Sequence, residues 1–140
     1  MAISKYVTLT IKDEKCSSSS GKLFIYQGDV GVDFYFQINS LKVTIVPQST
    51  NREYYNLVDS LVDAWASIRI LTPAKEVVTR DRLLITEDNL VKLTITKDLT
   101  DELSDIGKYK MQIHLYDGEG EDSNRITTPP FEFEVKKLIE

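Results

Sequence analysis

The stretch Asp105-Ile106-Gly107-Lys108-Tyr109 runs directly into Lys110-Met111-Gln112-Ile113-His114-Leu115-Tyr116. An Asp-x-Gly-x-Tyr step is therefore followed by strict apolar/polar alternation, the period of a half-buried strand. In an immunoglobulin-like sandwich, a tyrosine near the start of strand F turns its hydroxyl back to nearby upstream backbone. Gly107 can supply a backbone angle closed to other residues, and Asp105 can bond its own turn. Asp105, Gly107 and Tyr109 are therefore the candidate corner, with Tyr109 buried and its hydroxyl bonded to backbone near residues 101–106. Disulfide-bearing versions of this strand place a Cys two residues after the Tyr. Met111 stands there instead, an apolar plug in place of a bridge. An ordinary turn before an ordinary strand would use the same residue types, and the step names a fold rather than a function.

The rest of the chain follows the same period. Its 140 residues suffice for one domain with a real core, and with 41% hydrophobic and 28% charged residues they read as globular. Val7, Leu9 and Ile11 share a parity, as do Phe34, Phe36 and Ile38. Lys22–Gln27 reads as a strand between a Ser/Gly loop and Gly28-Asp29. Asn39-Ser40 looks like a turn into a strand over 42–46 that Pro47 ends. Then the period changes. Thr50-x-x-Glu53 is a capping box, and Tyr54, Val58, Leu61 and Trp65 step by four, three and four. Those signals predict a short inserted helix over 51–62.

From Ala66 the two-residue period returns through Ile68 and Ile70. Short extended runs follow over 76–79, 83–86 and 90–96, then a single helical turn over 99–104. Strand F covers 109–116, and an acidic, glycine-containing loop covers 117–124. A final strand over 125–137 is interrupted by Pro129-Pro130. Short strands, one small helix and no βαβ rhythm define an all-β fold, an immunoglobulin-like antiparallel β-sandwich with one short inserted helix. The expected core is Val7, Leu9, Phe34, Phe36, Ile68, Ile70, Val91, Leu93, Met111, Ile113, Phe131 and Phe133. The sandwich is assigned to residues 1–137 and the start of a linker to 138–140.

Candidate chemistry is sparse. A net charge of −5 argues against nonspecific nucleic-acid binding, which needs clustered Lys and Arg. No apolar run reaches membrane-spanning length, and no signal-peptide core opens the chain. The one cysteine, Cys16, lies in a small polar loop and reads as an incidental exposed thiol. His114, the one histidine, shares parity with Gln112 and Lys110 and is expected to face outward. It has no visible nucleophile or orienting partner. Asp117, Glu119, Glu121 and Asp122 alternate like calcium ligands but lack the full loop pattern. A second acidic run, Asp98 to Asp105, is expected to cap a turn. No catalytic, cofactor or metal residue is assigned, and the chain is not expected to be an enzyme. Trp65 belongs to the core if the helix extends through it, the favoured placement. If a strand begins there, it lies on the outer face, where it could meet a partner. Tyr26, Tyr35 and Tyr116 are expected at the rim.

Several longer motifs occur in order: Ile3-Ser-Lys-x-Val-Thr-Leu9, Leu23-Phe-Ile-Tyr-x-Gly-Asp29, Ile68-Arg-Ile-Leu-Thr-Pro73, Ile106-Gly-Lys-Tyr-Lys-Met-Gln-Ile113 and Ile126-Thr-Thr-Pro-Pro-Phe-Glu-Phe-Glu-Val135. Together they resemble the N-terminal immunoglobulin-like domain of phage baseplate upper proteins, over roughly residues 3–135. That resemblance implies a virion structural role in the tail baseplate, in a protein made in the bacterial host cytoplasm. The domain would dock to the baseplate core, and downstream helical, trimeric segments would carry the receptor-binding protein. It implies partners among tail proteins, no cofactor, no nucleic acid and no membrane. A trimer is implied for the full assembly and a monomer for this segment alone, since the trimerising helix would begin after Lys137. Residues 47–62 depart from the pattern. The alternative function is a carbohydrate-binding β-sandwich that stacks sugars on exposed Tyr and Trp.

Overall fold

The computed structural model describes residues 3–18, 23–46, 49–61, 63–118 and 124–139, with side chains except at 42–51 and 60. The fold is all-β with one short α-helix. Its strands are β1 (Ile3–Lys12), β2 (Lys15–Ser18), β3 (Leu23–Tyr26), β4 (Val32–Val46), β5 (Ser49–Asn56), β6 (Ala64–Leu71), β7 (Val77–Ile85), β8 (Val91–Ile95), β9 (Gly107–Asp117), β10 (Asn124–Thr127) and β11 (Phe131–Lys136). A 3-10 turn, Leu57–Ser60, follows β5, and the helix α1 spans Lys97–Glu102.

Hydrogen bonding links the strands in the order β2-β1-β4-β8-β7-β6-β9-β11-β3, with β5 on β4 and β10 on β9. The path folds into two layers at β7. Val77 to Leu83 pair with β6, whereas Leu84 and Ile85 pair with β8. A register shift between Ala66 and Ile68, and a left-handed Arg82 at φ 55°, accompany this passage between layers. The layers meet through aromatic rings, with Phe34 against Phe133 at 5.8 Å and Phe36 against Phe131 at 5.9 Å. All twelve residues expected in the core are buried between them. Pairing is mostly antiparallel, with two exceptions: β1 runs parallel to β4 and β3 parallel to β11.

The helix does not lie where the capping box places it. Residues 49–56 are extended against β4, so no helix begins at the capping box, and among the described residues of this stretch only Leu57–Ser60 are helical, as one 3-10 turn. Pairing with a long neighbouring strand overrides a local helical stripe. The α-helix is α1, within two residues of the expected helical turn. Thr96 Oγ1 caps it by accepting from the Leu99 amide at 3.2 Å, and Leu99 and Leu103 are buried beneath it.

No turn occurs at Asn39-Ser40 either. β4 continues straight through, and its register with β1 and β5 is unbroken. What changes there is the apolar parity. Phe34, Phe36 and Ile38 are even and face the core. Leu41, Val43 and Ile45 are odd. They stand in register with positions 54, 52 and 50 of β5. Beyond Ser40, β4 pairs only with β5, and the two strands form a ribbon extending past the sandwich. Two runs read separately, 76–79 and 83–86, join as β7, and the final strand splits into β10 and β11 around Pro129-Pro130.

Candidate functional site

The Asp-x-Gly-x-Tyr step enters β9 as a tight structural unit. Tyr109 is fully buried, and its hydroxyl donates to the Asp105 main-chain carbonyl at 2.6 Å. Its ring meets Phe133 edge-on at 6.4 Å. Gly107 has φ 138°, a conformation that side-chain-bearing residues rarely adopt. A β-carbon there would meet Pro73 at 3.6 Å, an ordinary contact, so the backbone angle and not crowding calls for glycine. Burial pushes the Tyr109 phenol above its usual range, with the nearby Asp105 charge adding to it and the hydrogen bond to Asp105 opposing. Met111 is fully buried, opposite Ile70 on β6 and Phe131 on β11. These groups hold the structure together and offer no reactive atom.

His114 does not face solvent. It stands on the outward parity of β9 yet is only 7% exposed. Ser67 flanks it on β6 and Thr127 on β10, and its Nδ1 lies 2.7 Å from Thr127 Oγ1. Nε2 is buried without a hydrogen-bond partner among the described residues. Burial, then the charges of Arg69 and Arg125, push its pKa down, so the ring is neutral at pH 7. Alternation within β9 cannot reveal this, because the residues beside it, Ser67 and Thr127, come from the neighbouring strands β6 and β10. Cys16 is not an exposed loop thiol. It sits in β2 opposite Ile11, packs against the core edge, and burial pushes its pKa up to about 11. A thiol so raised is a poor nucleophile.

The acidic runs act locally. Asp101 pairs with Lys97 at 2.8 Å and Glu102 with Arg80 at 2.7 Å. Residues 119–123 of the candidate calcium loop lie outside the described residues. Among the described residues, no three His, Cys, Asp or Glu side chains group as metal ligands.

Trp65 is not in the core. It lies on the outer face of β6, stacked on Tyr116 with centroids 4.0 Å apart and planes 9° apart. The Arg82 guanidinium lies over the Trp65 ring at 4.2 Å, and the indole N–H donates to the Gly118 carbonyl at 2.9 Å. Arg82 is the member of this stack that sequence reasoning missed. Its placement depends on the bulge where β7 changes layers. On the other layer, Tyr6 stacks on Tyr35 at 4.9 Å and is 67% exposed.

No model of a known protein family matches the sequence, and no curated protein is similar to it in sequence. The architecture defines a two-layer β-sandwich domain. Among solved structures it is similar to the N-terminal domain of phage TP901-1 ORF48, with a TM-score of 0.64 and 14% sequence identity, covering 96% of this chain and 99% of that one. At that identity the likeness is one of fold.

Proposed function

We propose that the chain is an immunoglobulin-like docking module of a phage or prophage tail baseplate, joining the baseplate core to receptor-binding proteins. The observation that carries this reading is the fold likeness to a phage protein's N-terminal domain over nearly the whole length of both chains. The ordered motifs that resemble baseplate upper proteins point the same way. Asp105, Gly107 and Tyr109 are the tyrosine corner of that module, and residues 1–137 form it, with 138–140 leading onward. Its work is binding and geometry, with several copies around the tail axis. The carbohydrate reading is weaker, because Arg82 and Tyr116 both stack on Trp65 and leave it no open face for a sugar.

Immunogold labelling of virions with an antibody against this domain tests the proposal. Label at the tail tip is expected. Label on the head, or only in host cytosol, overturns it.

A further inference from the structure

The outer face of β6, β9 and β10 is cationic in a chain whose net charge is −5. Its outward positions include Arg69, Lys108, Lys110 and Arg125 and no carboxylate. Lys108 and Lys110 stand opposite Glu134 and Glu132 on β11. Arg69 and Arg125 make no ion pair with any described residue. They flank His114 diagonally, one from β6 and one from β10, and Arg125 stands directly opposite Tyr116 of the Trp65–Tyr116 stack. Arginine, tryptophan and tyrosine are the residues that most often anchor protein interfaces, and arginine's fork matches a carboxylate.

From these observations we infer that this face docks an extended acidic segment of a neighbouring protein, with carboxylates at Arg69 and Arg125 and the chain crossing over His114. The register sets the spacing. Arg69 stands opposite Gln112 and Arg125 opposite Tyr116. Four residues along the sheet and two strand gaps across it separate their backbones by about 17 Å; two same-face carboxylates four residues apart span about 13–14 Å, and the long Arg and Glu side chains cover the remainder. A nucleic-acid backbone fits less well, since Glu132 and Glu134 border the patch on β11 and would repel a continuous run of phosphates. This deepens the docking reading by naming the surface and the chemistry of what it meets.

The test uses the full chain and a synthetic peptide, Ser-Glu-Thr-Val-Thr-Glu-Ser, in which the glutamates are four apart. Trp65 is the single tryptophan, so its emission reports occupancy, and amide NMR shifts locate it. Saturable binding is expected, with shifts centred on Ser67, His114 and Thr127. Arg69→Gln and Arg125→Gln should each weaken it about tenfold. Arg125→Lys should recover part of the loss. Four results would each overturn the inference: no shifts at millimolar peptide, equal binding of the Glu→Gln peptide, unchanged binding by the double arginine variant, or stronger binding of a single-stranded oligonucleotide. Self-association abolished by the arginine changes would make a second copy the partner and also overturn it. If virions label at the tail tip but the arginine variants bind normally, this surface assignment falls and the baseplate reading stands.

Discussion

Replacing Tyr109 by phenylalanine isolates one interaction. The ring stays, with its edge-on contact to Phe133, and no cavity opens because only the hydroxyl is removed. What is lost is the 2.6 Å bond to the Asp105 carbonyl. A buried acceptor left without its donor costs about 1–2 kcal/mol. With an unfolding entropy of about 2 cal/mol/K per residue, a chain of this size should lose about 3–7 °C in Tm. Asp105→Ala is the control, since the acceptor is main chain and survives the change. That variant should keep most of the stability. The measurement is equilibrium urea denaturation together with a thermal scan. A Tyr109→Phe protein whose midpoint and slope match the parent would refute the reasoning, because the bond would then contribute nothing net. Alkaline pH offers an independent check. The folded phenol titrates above its unfolded value near 10, so the stabilisation is fully present below that pH and is lost as pH rises beyond it. Tyr109→Phe should flatten this alkaline loss.

Phe36→Ala should cost roughly 3–5 kcal/mol by urea denaturation, because Phe36 is 1% exposed and its ring packs on Phe34 and Phe131. The His114 ring titrates below 6.5 when folded, so its contribution is present above that pH and falls as pH drops toward the folded value; His114→Gln should reduce the dependence of stability on pH in that acid range. Replacing 43–52 by Asn-Gly would close Lys42 onto Glu53 in a two-residue hairpin, and, because the removed segment pairs only with itself, Tm should move by no more than a few degrees, about the effect of 1 kcal/mol. Unfolding of that variant would show that the ribbon belongs to the core.

How much of this is legible in the sequence depends on how far the deciding contact lies from the residue. The fold class is legible because alternation reports a local property, the pleat, and burial of Val7, Leu9, Phe34, Phe36, Ile68 and Ile70 follows from it directly. Gly107 and Tyr109 are close in sequence to the carbonyl they serve. His114, Cys16 and Trp65 are misplaced for one shared reason. Each is decided by a neighbour that no pattern within its own strand describes: β10 beside His114, the core edge at Cys16, and Arg82 and Tyr116 against Trp65.

The ribbon carries this logic furthest. A parity change at Asn39-Ser40 has two physical solutions. The chain can turn, so that both apolar sets reach one core, or it can run straight, so that the second set faces the other way. Sequence favours the turn, since Asn and Ser supply turn chemistry. The structure takes the straight path and holds it with eight register pairs from Asn39–Asn56 to Val46–Ser49. An isolated two-stranded ribbon is marginal in water. Sequence reading fails in this stretch because local turn chemistry at Asn39-Ser40 competes with long-range strand pairing, and the pairing wins.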